Sequence, residues 1–159
     1  MAQFLPLILF LHVMGAIIAF GPTFAYSIMG AMAGREPQHA NFSARQTEAI
    51  GTKLVYPLAI FQGVTGVLLI IASGRNLVEE RWLGLAIILY AITLTYALTI
   101  QRLALHHLIE LTSTPPAPGS PPNPEIPATV KKIQRGGAAL GLMVVVIVFL
   151  MVVKPTLGA

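Results

Sequence analysis

The chain has 159 residues, of which 55% are hydrophobic and 10% are charged, and its formal net charge is +4. A soluble domain carries about 25% charged residues, so this composition excludes an ordinary soluble domain and indicates an integral membrane protein in contact with the lipid bilayer. The absence of cysteine excludes disulfides, zinc–thiolate sites and iron–sulfur clusters within the chain. The basic residues form no face with interleaved aromatic side chains, so we expect no nucleic-acid partner.

Four stretches free of Asp, Glu, Lys and Arg are long enough to cross a bilayer, which takes about 20 residues of helix. Their apolar residues run continuously instead of alternating, which favours helices over the strands of a β-barrel. The sequence therefore predicts an all-α fold, a four-transmembrane-helix bundle that forms a single membrane domain over residues 1–159. The predicted spans are about 4–33, 54–74, 82–105 and 136–153.

The first of these stretches lacks the basic segment of a secretory signal, so we interpret it as a retained span. It contains Pro22, which has no N–H group and crowds the carbonyl of Ile18. Proline inside a helix removes one backbone hydrogen bond and bends the axis. We therefore predict a kink at Pro22.

The distribution of Lys and Arg predicts the orientation, because these residues are enriched in cytoplasmic loops. Seven of them flank the loops after spans one and three, and three lie on the other side. We therefore expect both termini on the outer side of a plasma membrane, with Trp82 as an aromatic anchor at the outer interface. Residues 112–127 hold seven prolines, which predicts a cytoplasmic Pro-rich linker in extended polyproline II conformation.

Glycines recur at spacings that let helix backbones approach closely. Such a pair packs helices inside the bundle or forms a contact with another subunit, and the sequence leaves both open. The predicted helix-packing residues are Gly30 with Gly34, Gly63 with Gly66, and Gly137 with Gly141.

The four charge-free stretches contain one histidine, His12, whose side chain is costly to bury in lipid. It is either the axial ligand of a tetrapyrrole such as haem b, or a neutral histidine hydrogen-bonded across the bundle. Met151 and Tyr90 lie at similar depth, Met151 as a second axial ligand and Tyr90 as a hydrogen-bond partner, and with His12 they form the predicted tetrapyrrole pocket. His106 and Glu110 are spaced to share a metal ion, but two ligands are too few for a site, so we predict none.

Span two carries Gln62 and Thr65 near mid-membrane, and span three carries several hydroxyl side chains. These groups either line a polar cavity for a small solute or bond to their own and neighbouring helices. A primary amide at the depth of Gln62 requires hydrogen-bond partners.

The segment Leu11–Tyr26, LHVMGAIIAFGPTFAY, resembles the first span of a group of small bacterial four-helix membrane proteins of unknown function. These are distantly similar to the HemJ-type protoporphyrinogen oxidases and to the CopD-type copper-resistance membrane domains. The shared features are a histidine in the first span, a glycine-containing stretch after it, and four spans. The resemblance implies a four-helix fold in the bacterial plasma membrane and a haem b site at His12. HemJ-type proteins use further polar or basic groups inside the bundle, whereas the charge-free stretches of spans two to four offer no basic residue.

The leading functional hypothesis is a non-catalytic accessory subunit of a larger membrane complex of respiratory or photosynthetic type, because no nucleophile–base–orienter set occurs in the spans. Its partners would be the bilayer and other membrane subunits. The first alternative is a haem b-binding redox or porphyrin-handling protein. The second is a small-solute channel or carrier.

Overall fold

A computed structural model of the chain describes residues 2–77, 79–114, 121 and 123–156. These ranges contain helices and turns without a β-strand. The α-helices, in chain order, are α1 (Leu5–Arg35), α2 (Ala40–Ile50), α3 (Tyr56–Ser73), α4 (Arg81–Tyr96), α5 (Arg102–Leu111) and α6 (Glu125–Val153). The predicted all-α fold is confirmed.

Two π-helical turns join shorter helices into longer ones. Gly51–Val55 connects α2 to α3, and Ala97–Gln101 connects α4 to α5, without interrupting the helical backbone. We call the two continuous rods the α2/α3 helix and the α4/α5 helix. With α1 and α6 they make four helices that are long and apolar enough to cross a membrane, as the sequence predicts.

The helices are longer than the apolar runs from which they were predicted. The α2/α3 helix is already α-helical at Ala40, well before the expected start of span two at residue 54, and α6 begins at Glu125. The length of a charge-free run reflects only the thickness of the hydrocarbon. The helices are longer because backbone hydrogen bonding continues into the polar interface. In the predicted linker 112–127, residues 115–120 and 122 lie outside the described residues, and residues 125–127 form the first turn of α6.

Helix α1 continues through Pro22 without a break. The hydroxyl of Thr23, the next residue, donates a hydrogen bond of 2.6 Å to the carbonyl of Phe20. A backbone carbonyl close to the proline thus accepts a hydrogen bond from a side chain. The kink itself stays a prediction.

Packing within the bundle is led by α1 along α3 and by α4 along α6, while α2 lies against α5. A cluster of Trp82, Leu83, Ala86 and Leu150 joins α4 to α6. Trp82 is 8% exposed, and its expected place at the outer interface stays a prediction. Its ring is buried in the bundle, and two cations, Arg75 at 5.9 Å and Lys154 at 6.0 Å, lie over its centroid.

The outer surface of the bundle is apolar. Large hydrophobic side chains are exposed on every long helix, among them Ile28, Ile71, Leu103 and Val152. The buried positions are filled mainly by small residues, which let the helix backbones approach. Such a surface would aggregate in water but is matched to hydrocarbon. The protein is therefore a multi-pass integral membrane protein, and which end of the bundle faces the cytoplasm stays a prediction.

Candidate functional site

His12 lies in the interface between α1 and α3, and both of its ring nitrogens have partners on α3. Nδ1 lies 2.9 Å from the hydroxyl of Thr65, and Nε2 lies 3.0 Å from the side-chain nitrogen of Gln62. Gln62 and Thr65 are 7% and 3% exposed. The histidine of the first span and the two mid-membrane polar residues of the second therefore form one hydrogen-bonded group, which we call the His12 network.

The neighbours of Thr65 assign the proton on the imidazole. The Thr65 hydroxyl lies 3.0 Å from the carbonyl oxygen of Phe61 and 3.1 Å from that of Gln62, and carbonyls only accept. The hydroxyl therefore donates to its own helix and accepts from Nδ1–H of His12. Nε2 then accepts a hydrogen bond from the amide of Gln62. In this arrangement the imidazole is neutral, and each ring nitrogen makes one hydrogen bond.

Two glycines let the interface close around this network. A Cβ added to Gly66 would lie 3.3 Å from Cε1 of His12, and one added to Gly15 would lie 2.9 Å from Oε1 of Gln62. Gly66 was predicted as a packing residue, whereas Gly15 was missed. Its signal is the spacing to Ala19, which is 0% exposed, because Gly15 and Ala19 form a small-xxx-small pair.

Oε1 of Gln62 is buried and has no hydrogen-bond partner among the described residues. The amide thus donates to His12 while its acceptor oxygen stays unsatisfied beside Gly15. Leaving a buried acceptor unpaired costs about 1–3 kcal/mol. The His12 network therefore retains capacity for one further donor at this oxygen.

The other two residues of the predicted tetrapyrrole pocket have partners of their own. The hydroxyl of Tyr90 donates to the backbone carbonyl of Ala59, and its ring lies 3.3 Å from where a Cβ on Gly63 would be. Met151 packs against the cluster around Trp82. The pocket stays a prediction, and these contacts give each of the three residues a different set of neighbours.

The predicted glycine pairs differ in their surroundings. A Cβ added to Gly141 would lie 3.9 Å from the ring of Phe24, and one added to Gly137 would lie 3.8 Å from the side-chain amide nitrogen of Gln101. Around Gly30 and Gly34, no atom of another described helix comes within 4 Å of such a Cβ. This pair therefore faces outward from the bundle.

Gly136, which the sequence reading did not single out, has the tightest surroundings of the glycines. A Cβ there would overlap Oε1 of Gln101 and lie 2.8 Å from the hydroxyl of Tyr96. Gln101 ends the second π-helical turn, and its side-chain amide donates 3.0 Å to the carbonyl of Ile133. The polar side chains of α4/α5 thus reach α6 only because this position has no side chain.

Metal-ligating side chains are scarce in the part of the chain that the structure describes, and no three of them form a group that could hold a metal ion. His106 lies 3.3 Å from Glu110, the pairing expected of a solvated helix end. His107 lies 3.9 Å from Glu125 at the start of α6.

The similarity of this chain to known proteins is at the level of a family model. No curated protein and no solved structure matches the chain, so the likeness to HemJ-type and CopD-type proteins stays a prediction. A family model described as "Predicted integral membrane protein (DUF2269)" matches residues 6–155. Because this match covers nearly the whole chain, the protein belongs to the DUF2269 family of predicted integral membrane proteins.

Proposed function

We propose that this protein is a non-catalytic subunit that packs against other membrane proteins in a larger complex of the bacterial plasma membrane. The observation that carries the proposal is the outward-facing pair Gly30 and Gly34 on α1, around which no other described helix places an atom within 4 Å of an added Cβ. Small residues at this spacing let a second helix approach closely. The bundle supplies no such helix here, so a partner would.

The His12 network supports the non-catalytic part of the proposal. Both ring nitrogens of His12 are hydrogen-bonded, one to Thr65 and the other to Gln62, and Gly66 lies against the ring. A general base needs a nitrogen within reach of a substrate proton. Here the imidazole serves as a polar connection between α1 and α3.

The test is the size and composition of the protein extracted from its native membrane in a mild detergent. We expect a stable complex with at least one other membrane protein, and loss of that complex in Gly30→Leu/Gly34→Leu. Gly21→Leu is the matched control, because Gly21 lies on the same helix and also has open space around it. A clean monomer, a complex made only of this chain, or a complex that survives the double substitution would each contradict the proposal.

A haem b protein with His12 as axial ligand is the second candidate, and one observation favours it. Ligating histidines almost always donate their other ring N–H to a fixed acceptor, and Nδ1 of His12 has Thr65 in that role. The remaining nitrogen, Nε2, is held by Gln62. The residues as arranged do not fit a bound tetrapyrrole, because Gln62 would have to withdraw first.

The visible spectrum of the purified protein, oxidised and then reduced with dithionite, tests this candidate. A Soret band that sharpens on reduction and is lost in His12→Ala would support it, and Met151→Leu would then test the second ligand. A flat spectrum from protein shown to have kept its cofactors would eliminate the haem candidate, and the subunit proposal would remain. A channel or carrier has no comparable support, since Thr93 and Thr99 donate to carbonyls of their own helix.

A further inference from the structure

A basic groove of about 470 Å³ lies between the α4/α5 helix and the first half of α6. Lys131, Lys132 and Arg135 line it from α6, and Tyr96 lines it from the end of α4. The three cations are spaced i, i+1 and i+4, which brings them to one side of the helix. The groove therefore concentrates three positive charges at the edge of the predicted membrane span.

The described part of the chain supplies no counter-ion for these cations. No acidic side chain in residues 2–77, 79–114, 121 and 123–156 forms an ion pair with Lys131, Lys132 or Arg135. Glu110 and Glu125 lie instead beside the histidines of α5. Three close cations without a counter-charge repel one another, so an anion in the groove would stabilise it.

Gly136 on α6 and Tyr96 on α4 lie close together where they line the groove. Because Gly136 has no side chain, the hydroxyl of Tyr96 reaches to within 2.8 Å of where its Cβ would lie. Gln101 beside it is fixed by its bond to the carbonyl of Ile133. Within the described residues the Tyr96 hydroxyl has no hydrogen-bond partner, so it is available to donate to a ligand.

An apolar furrow of about 390 Å³ lies next to the basic groove, and Tyr96 lines both. The furrow runs along α4 past Ile92 and Thr95 toward Ile100. Of the hydroxyls that border it, that of Thr99 donates to the carbonyl of Thr95 on its own helix. A basic groove beside an apolar furrow has the amphipathic layout of a phospholipid.

We propose that the groove and furrow together bind one anionic phospholipid, with its phosphate among Lys131, Lys132 and Arg135 and one acyl chain along the furrow. Basic pockets between membrane helices are the sites at which anionic headgroups are held. A free phosphate offers the same charge but would leave the furrow empty. The acyl chain therefore separates the lipid from a soluble anion.

Native mass spectrometry of the full chain in detergent tests the proposal, with phosphatidylglycerol and phosphatidylcholine of identical acyl chains as probes. We expect phosphatidylglycerol to bind more tightly, and K131Q/K132Q/R135Q to weaken it at least about tenfold, since each cation near a headgroup contributes substantially. The charge-preserving variant K131R/K132R/R135K should retain binding. R35Q/R45Q/K53Q is the matched control, because it removes three charges from the other basic loop.

Two further measurements distinguish the source of the phosphate. Thr95→Trp, which fills the furrow, should weaken phosphatidylglycerol binding, and inorganic phosphate should not displace the lipid. Equal binding of the two lipids, equal loss in the control variant, displacement by inorganic phosphate, or an unchanged Thr95→Trp would each overturn the proposal. If K131Q/K132Q/R135Q is misfolded by circular dichroism, the Thr95→Trp and lipid comparisons still decide the question.

Discussion

Nδ1 of His12 on α1 lies 2.9 Å from the hydroxyl of Thr65 on α3, so a residue of the first span bonds to one that follows it by 53 positions. The hydroxyl in turn bonds to the carbonyl of Phe61 on its own helix. These two hydrogen bonds link the imidazole on α1 to the backbone of α3. In the hydrocarbon of a bilayer no water would compete for such a bond, so it helps to fix the distance and the register of the two helices.

We predict that Thr65→Val destabilises the bundle by about 1–2 kcal/mol, because it keeps the shape of the side chain but leaves Nδ1–H of His12 buried without an acceptor. The measurement is the midpoint of unfolding in a titration with denaturing detergent. Thr99→Val is the control, since the Thr99 hydroxyl is exposed and bonds only to the carbonyl of Thr95. Equal midpoints for the two variants would show that the His12 bond contributes nothing to stability.

Gly15→Ala should cost about 1–3 kcal/mol, because its Cβ would lie 2.9 Å from Oε1 of Gln62 and overpack the interface. The cost should shrink when Gln62 is also replaced by alanine, since the crowding atom is then gone. Gly21→Ala on the same helix has open space and should be neutral or slightly stabilising. A double-mutant cycle in the same unfolding assay measures the coupling. Additive effects of Gly15→Ala and Gln62→Ala would contradict the prediction.

The sequence predicted the four spans because each is a long charge-free run, and lipid thickness sets the length of such a run. It also singled out His12, Gln62 and Thr65 separately, since each is a polar group that needs partners in hydrocarbon. The sequence did not show that these three side chains bond to one another, because the position of a residue along a span does not reveal which way it faces around the helix axis. The bond between them depends on which face of α1 meets α3, and that follows from packing of the whole bundle.

The glycines show the same limit. Gly136 and Gly137 are neighbours, and the spacing to Gly141 favoured Gly137 as the packing residue. The structure buries Gly136 against Gln101 instead. The π-helical turn Ala97–Gln101 shifts the register of the α4/α5 helix by part of a turn, and charge-free runs carry no trace of such a turn. The sequence spacing therefore pointed to Gly137, one residue from the glycine that contacts Gln101, but it did not show which face of α6 meets α4/α5.

Tyr90→Phe should destabilise the protein by about 0.5–1.5 kcal/mol, because it removes one hydrogen bond to the carbonyl of Ala59 and keeps the ring. The ring packs on Gly63, where a Cβ would lie 3.3 Å away. Tyr90→Ala should therefore cost clearly more than Tyr90→Phe, since it also leaves a cavity. Thermal unfolding in bicelles compares the two. If both variants lose the same stability, the ring contact with Gly63 makes no contribution.

Gly136→Ala should be the most damaging single-methyl change among the glycines of α6. Its Cβ would overlap Oε1 of Gln101 and approach the hydroxyl of Tyr96 at 2.8 Å, so the bond from Gln101 to the carbonyl of Ile133 should break. We expect a loss of about 2–3 kcal/mol, from overpacking and from the unpaired amide.

Gly137→Ala is the matched control for this last change, because the adjacent residue meets nothing closer than 3.8 Å. Trp82 is the only tryptophan in the chain and lies between α4 and α6, so its fluorescence reports on this pair of helices directly. We expect the emission of Gly136→Ala to shift at a lower concentration of denaturing detergent than that of Gly137→Ala. The opposite order would mean that Gly137 is the residue facing Gln101 and that α6 is rotated by about 100° from the arrangement described, the turn between adjacent helical residues.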